Sequence, residues 1–166
     1  GWNSLISDIK IAINVDDYLK WKVENHDSPL PVNEDGSIVS GSTYMRVAWA
    51  MVGIRLIERY PLGYGSINAS YDGLLNLDGA DPGQHGQTHS GWIDFGLAYG
   101  IPGLIFLFAA LISGVIISRG VLLGDRIEIA FLMITFIPLT LIAETAWKQY
   151  FEATLFFITY ASALLV

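Results

Sequence analysis

The last third of the chain consists largely of three apolar runs. Ile101–Ser118 carries no charge, Ile127–Ala143 is apolar except for Glu128, and Ala153–Val166 is still apolar at the last residue. A helix of about 20 apolar residues crosses a bilayer, and the first run is close to that length. A soluble helix of similar length usually shows a polar stripe, which the first run lacks. The pattern therefore favours about three transmembrane helices, near 101–118, 127–143 and 150–166, over three buried helices of a soluble core.

The first 100 residues are more polar, and their pattern predicts helices joined by loops. Apolar residues at helical spacing in Trp2–Ile13 indicate an amphipathic helix that lies against the membrane or the rest of the protein. Tyr44–Tyr60 has the pattern of a second helix, with Ser42 or Thr43 as its N-cap. A loop rich in turn formers precedes this helix, and a glycine-rich loop follows it.

A further short helix is predicted for His89–Gly100, capped by Thr88 and leading into the first apolar run. We therefore expect a mainly α fold, a multi-spanning membrane protein fragment. An external helical and loop domain over 1–100 precedes transmembrane helices over 101–166. The short turn Arg119–Arg126 carries two arginines, so the positive-inside rule places it in the cytoplasm. Residues 1–100 and Glu144–Glu152 then lie on the external side.

Composition narrows the possible functions. The 166 residues are 52% hydrophobic and only 15% charged, with a net charge of −7 and no cysteine. Soluble domains average about 25% charged residues, so the low share is typical of a membrane protein. An acidic chain without a run of basic residues is not expected to bind nucleic acid. The lack of cysteine excludes disulfides, iron–sulfur clusters, cysteine-ligated zinc and a cysteine nucleophile within this chain.

Arg46 is the charge that stands out on the predicted helix Tyr44–Tyr60. At about 100° per residue, Arg55, Glu58 and Arg59 share one side of the helix, and Arg46 lies on the other. The apolar residues on its side are Trp49, Ala50, Gly53 and Ile57. In the first turn of this helix the dipole disfavours a cation. One explanation is a side chain that snorkels to water or lipid phosphate. The other is an anion site, because the guanidinium fork binds phosphate or carboxylate through two parallel hydrogen bonds.

Two histidines, His85 and His89, lie four residues apart in a glycine-rich segment. They make a weak zinc motif, because glycine separates them and the metalloprotease pattern has Glu directly after the first His. A surface histidine is the simplest interpretation of His85. His89 begins a predicted helix that leads into the membrane, where a neutral imidazole can act as a general base near pH 7. Asp94 is expected to point away on that helix, about 140° round, so Glu144 or Glu152 is the predicted orienting carboxylate.

Two motifs in sequence order resemble the signature of the O-antigen ligase and polymerase superfamily. The first is Arg46, followed by a helix and then by Tyr60–Gly65 (YPLGYG). The second is Thr88–Leu104 (THSGWIDFGLAYGIPGL), in which a histidine and a small polar residue precede a helix with Gly-x-x-Gly. The resemblance covers roughly residues 42–118. Ser90 stands where relatives usually have Asn, and the further arginine of the family's upstream helices is absent from this chain.

This resemblance implies a multi-pass glycosyltransferase of the cytoplasmic (inner) membrane, with residues 1–100 on the periplasmic side. Such enzymes of lipopolysaccharide biosynthesis and related pathways take a glycan from a polyprenyl-pyrophosphate carrier, such as undecaprenyl pyrophosphate. They transfer it to a hydroxyl of lipid A core, another glycan or a protein, and need no cofactor or metal. By position, Arg46 would hold the donor pyrophosphate and His89 would activate the acceptor hydroxyl. We expect the chain to be the C-terminal portion of such an enzyme and to be inactive alone.

Two other interpretations remain open at this point. A non-catalytic scaffold or partner module of polysaccharide assembly would tolerate alanine at both Arg46 and His89. A transporter component would need charges along a path inside the membrane, whereas Glu128 and Glu144 lie at the ends of predicted spans.

Overall fold

The computed structural model describes residues 2–22, 27–81 and 87–117, and six positions nearer the C-terminus: Glu152, Ala153, Phe156, Thr159, Tyr160 and Ala163. Its main elements are α1 (Trp2–Ile13), α2 (Gly41–Arg59), α3 (Ser70–Leu77) and α4 (Gly91–Ile117), with short 3-10 helices at Leu19–Trp21 and Ile67–Ala69. Within these ranges, extended pairing is confined to one isolated bridge between Val32 and Ile38. The prediction of a mainly α fold is confirmed.

The helix α2 is the centre of the core, and α1, α3 and α4 all contact it. Tyr44, Ala48, Val52 and Leu56 are buried, so one residue in four along α2 forms a continuous apolar stripe. The hydroxyl of Tyr44 donates a hydrogen bond to the carbonyl of Tyr18 at 2.5 Å, which satisfies a polar group inside the core. Other buried apolar residues of this core include Ala12, Val15, Val39, Tyr71, Leu74, Leu75, Ile93 and Leu97.

The start of α2 differs from the predicted one by three residues. The helix begins at Gly41, directly after Ser40, because a side chain from α1 holds the chain there. The buried carboxylate of Asp8 accepts hydrogen bonds from the Ser40 amide at 3.1 Å and from the Asn33 side chain at 2.8 Å. Arg46 therefore lies in the second turn of α2. The argument that the helix dipole opposes a cation there is weakened, since the effect falls off within the first turn.

The turn that follows α2 is hydrogen-bonded to α4 at a break within α4. Gly100 has φ 68° and ψ −166°, which interrupts the helical geometry. The carbonyls of the residues before Gly100 therefore lack hydrogen-bond partners within the helix. Three backbone hydrogen bonds join the two segments: Tyr64 N–H to Leu97 O at 2.8 Å, Gly65 N–H to Ala98 O at 2.7 Å and Ile101 N–H to Pro61 O at 2.8 Å. The two sequence motifs, which are separated by more than 20 residues, therefore meet in space.

Glycine is required on both sides of this contact. A Cβ atom on Gly63 would lie 2.5 Å from the Gly100 nitrogen, and one on Gly100 would lie 2.2 Å from the Pro61 oxygen. Both glycines also have positive φ, which other residues adopt only with strain. We call Pro61–Gly65 the 61–65 turn below.

Two apolar surfaces are exposed in the described ranges. On α1, Trp2 is 80% and Ile6 is 51% exposed, while Asp8 and Ala12 on the other side of the helix are buried. On the second half of α4, large apolar side chains such as Phe106, which is 76% exposed, point outward. Exposed apolar surfaces of this kind mark sites of contact with a membrane or with other protein segments.

Among the described residues, α4 is the one helix long and apolar enough to cross a membrane. The stretch that meets both conditions is Gly91–Ala110, which overlaps the predicted span at 101–118. The predicted span at 127–143 lies outside the described residues, as does most of 150–166, although the six positions described there are helical or lie in helical stretches. The multi-span topology, and the division into 1–100 and 101–166, therefore stay predictions.

Candidate functional site

The face of α2 that carries Arg46 packs against the start of α4. Two turns after Arg46, Gly53 lies so close to its neighbours that a Cβ there would be 2.5 Å from Ile93 Cγ2 and 3.1 Å from Thr88 Cγ2. Gly53 and Ile57 of the predicted apolar face are therefore buried, whereas Trp49 and Ala50 on that face are half-buried. Gly53 faces residues on either side of His89.

The imidazole of His89 lies beside the indole of Trp49, which is one turn after Arg46 on α2. The ring centroids are 5.4 Å apart and the planes are tilted by 31°. Arg46 precedes Trp49 by three residues on α2, so the two positions are neighbours on the helix surface, and Trp49 in turn contacts the half-buried His89 ring. The sequence predicted Arg46 and His89 as site residues but gave no reason to assign Trp49.

The backbone of His89 is strained. Its φ is 58°, and among the described residues it is the one non-glycine residue with a positive φ. Helix α4 begins at Gly91, so the prediction that the helix starts at His89 with Thr88 as its cap is wrong. His89 instead projects from the turn before the helix. Strained non-glycine backbone of this kind occurs preferentially at functional sites, where the surrounding structure holds it in place.

Asp94 fixes that turn through Thr88, the residue directly before His89. Its carboxylate, which is fully buried, accepts hydrogen bonds from the Thr88 amide at 2.7 Å and from the Thr88 hydroxyl at 2.8 Å. The angle on the helical wheel does not apply, because His89 is not on the helix and the Asp94 side chain folds back past the N-terminus. Thr88 and Asp94 are therefore two residues of the site that the sequence analysis did not assign.

Tyr71 adds a second buried polar group on this side of α4. Its side chain is 1% exposed, and its hydroxyl has no hydrogen-bond partner among the residues that the structure describes. Burial raises the pKa of Tyr71, and the negative charges of Asp72 and Asp94 raise it further. Asp94 is itself fully buried, and hydrogen bonds in such surroundings are stronger than in water.

Arg46 differs from the arginines on the opposite face of α2. Arg55 makes a bidentate ion pair with Asp16, at 2.7 and 2.8 Å, and this pairing lowers the pKa of the Asp16 carboxyl. Arg59 pairs with Asp78. Arg46 is exposed, and no acidic side chain within the described ranges pairs with it. Arg55, Glu58 and Arg59 are exposed, as predicted. Their side of α2 is not solvated throughout, because Tyr44 and Ala48, which lie on the same side of the helical wheel, are fully buried. The Arg46 guanidinium is available to an anion.

The remaining predicted site residues are less informative. Glu144 and His85 lie outside the described residues, so the zinc hypothesis is not tested. Glu152 is an exposed residue in a helical stretch, and its supporting role stays a prediction. No group of three His, Asp or Glu side chains in the described part of the chain is arranged to hold a metal.

A groove of about 580 Å³ lies beside α2. Trp21, Val52, Arg55 and Leu56 are among the residues that line it. The carbonyl of Trp21 accepts a hydrogen bond from the Trp49 indole at 3.4 Å, so the groove adjoins the residue that contacts His89.

Comparison with known protein families gives a match over much of the chain. The model of a protein family described as O-antigen ligase matches residues 10–108, which is more than half of the chain. No curated protein and no solved structure matches the chain. The matched region contains both motifs, and with them Arg46, the 61–65 turn and His89. The chain therefore belongs to the O-antigen ligase family, which indicates a glycosyltransferase-like role in polysaccharide assembly at a membrane.

Proposed function

We propose that this chain carries the active site of an inner-membrane glycosyltransferase. The enzyme transfers a glycan from a polyprenyl-pyrophosphate carrier to an acceptor hydroxyl on lipid A core, another glycan or a protein. Arg46 holds the donor pyrophosphate, and His89 accepts the proton of the acceptor hydroxyl. The observation that carries this proposal is the packing of Trp49 against His89, one turn from Arg46.

The chemistry requires two kinds of group at one place. The acceptor oxygen forms a bond to the anomeric carbon of the donor sugar, the bond from that carbon to the phosphate oxygen breaks, and the lipid pyrophosphate leaves. Negative charge develops on the leaving group, and a fixed guanidinium stabilises it. The acceptor hydroxyl loses its proton as its oxygen attacks, and an imidazole within hydrogen-bond reach takes this proton.

The site is built for an anion on one side and a proton acceptor on the other. Arg46 is exposed and without an acidic partner among the described residues, which leaves both edges of its fork for phosphate oxygens. His89 is half-buried against an indole, so its ring is held by packing rather than free in solvent. Helix α4 begins two residues after His89, and its stretch Gly91–Ala110 is long and apolar enough to cross a membrane. This supports a site near the membrane surface, where the pyrophosphate of a lipid carrier would lie.

Replacing Arg46 by lysine tests the donor role in the full-length protein. The change keeps the charge but removes the planar fork, so we expect at least a tenfold loss of glycan transfer, since one good hydrogen bond to a charged group contributes about 1.5–3 kcal/mol. Arg55→Lys is the matched control, because Arg55 lies on the opposite face of α2 and pairs with an exposed carboxylate. Equal transfer by the Arg46 variant and the wild type would contradict the donor role and favour an arginine that snorkels to the interface.

Replacing His89 by alanine tests the proton acceptor. We expect transfer to be abolished while the protein accumulates normally in the membrane, because a general base acts on the reaction and not on folding. His85→Ala is the control, since His85 has no assigned role. Wild-type transfer by His89→Ala would rule out the base, and equal losses at both positions would revive the zinc hypothesis. Tolerance of alanine at both Arg46 and His89 would favour a non-catalytic module.

A further inference from the structure

The buried carboxylate of Asp94 acts on the residue directly before His89. It accepts two hydrogen bonds from Thr88, one from the amide at 2.7 Å and one from the hydroxyl at 2.8 Å. We propose that Asp94 and Thr88 are positioning residues, which hold the His89 imidazole against Trp49 for proton transfer. This inference rests on the proposed role of His89 as the base.

The hydrogen bonds fix both neighbours of His89 in the chain. Thr88 is held by Asp94, and the Ser90 amide donates to the Thr88 hydroxyl oxygen at 3.3 Å. With both neighbours fixed, His89 is held at φ 58°, a conformation that a non-glycine residue rarely adopts unaided. The direction in which the imidazole projects therefore depends on the Thr88 hydroxyl.

The opposite side of the turn is fixed by packing against α2. Gly53 leaves just enough room for Thr88, since a Cβ at position 53 would lie 3.1 Å from the Thr88 methyl group. Asp94 is fully buried, so water does not weaken the hydrogen bonds to its carboxylate. Loss of these hydrogen bonds would leave a buried charge without partners, which would strongly destabilise the folded state. The turn is thus held by a hydrogen-bonded carboxylate on one side and a closely packed helix on the other.

Two substitutions at Thr88 separate the hydrogen bond from the packing. Thr88→Val keeps a methyl group against Gly53 and removes the hydroxyl, whereas Thr88→Ser keeps the hydroxyl and removes the methyl group. For Thr88→Val we expect kcat to fall about ten- to a hundredfold, the loss typical of a base displaced by about 1 Å. KM for the donor should not change, because Arg46 holds the donor. For Thr88→Ser we expect kcat close to that of the wild type.

The rates are measured with the full-length protein in detergent. The lipid fraction of cells that lack the gene serves as the source of donor and acceptor. Wild-type kcat for Thr88→Val, or equal losses of kcat for Thr88→Val and Thr88→Ser, would overturn the positioning role. A rise in KM for the donor without a fall in kcat would also overturn it.

A second pair of variants covers the case in which Thr88→Val fails to accumulate in the membrane. Asp94→Asn keeps an oxygen that can accept both hydrogen bonds, and Asp94→Ala removes it. We expect Asp94→Asn to recover most of the kcat that Asp94→Ala loses, and equal losses would overturn the inference.

His89→Ala distinguishes a failure of the positioning role from a failure of the base itself. Loss of transfer in His89→Ala together with wild-type kcat in Thr88→Val refutes the positioning role alone, and wild-type transfer in His89→Ala refutes the base itself.

Discussion

The contact between the 61–65 turn and the break at Gly100 allows a quantitative test, because two glycines of this turn both have positive φ but differ in the space around the missing Cβ. Gly63 has φ 77° and a Cβ there would meet the Gly100 nitrogen at 2.5 Å, whereas Gly65 has φ 91° and nothing within 4 Å of its missing Cβ. For Gly65→Ala only the left-handed strain applies, about 1–2 kcal/mol. For Gly63→Ala the same strain applies, and the added Cβ also forces the turn away from α4.

The separation of the turn breaks the hydrogen bonds from the Tyr64 and Gly65 amides to α4. At about 1 kcal/mol for each bond, Gly63→Ala is expected to lower the free energy of unfolding by about 3–4 kcal/mol in total. The assay is unfolding of the full-length protein in detergent micelles, followed by tryptophan fluorescence, with Gly65→Ala as the matched control. If the two variants were equally stable, the close contact between the 61–65 turn and α4 would be refuted.

Three further predictions follow from particular contacts and from the topology. Gly53→Ala places a Cβ 2.5 Å from an α4 side chain, so it should destabilise the protein by about 1–3 kcal/mol and, by displacing His89, slow glycan transfer about tenfold or more in a rate assay. Tyr71→Phe removes a buried hydroxyl that has no hydrogen-bond partner within the described ranges. The free energy of unfolding should therefore stay the same or rise by about 1 kcal/mol. A clear decrease would reveal a partner for the hydroxyl. A single cysteine at the exposed Ser66 should react with a membrane-impermeant thiol reagent in intact cells and one at Gly124 should not, and the reverse result would overturn the topology.

The helical wheel of α2 predicted which residues share a side of the helix, because that information is local. Gly53 lies on the predicted apolar side by helical periodicity alone, and it packs against α4. Arg55 lies on the other side and is exposed, as predicted, although the buried Tyr44 and Ala48 lie on that side as well.

The sequence could not reveal the contacts that depend on distant residues. The start of α2 is set by Asp8, which lies 32 residues before Ser40 in the chain. The role of Asp94 depends on where α4 begins, and helix starts cannot be located from a pattern to within one or two residues. The stacking of Trp49 on His89 joins residues 40 positions apart, and no local pattern predicts such a contact.

The central claim is that Arg46 and His89 face one site. It can be tested with cysteine pairs in the otherwise cysteine-free background of this chain, introduced into the full-length protein without other cysteines. A bifunctional thiol reagent of about 10 Å, roughly the diameter of one helix, is added, and the crosslinked peptides are identified by mass spectrometry. The structure predicts a crosslink for Arg46→Cys with His89→Cys. It predicts none for Arg55→Cys with His89→Cys, because α2 stands between those positions. A crosslink for the second pair without one for the first would contradict the shared site.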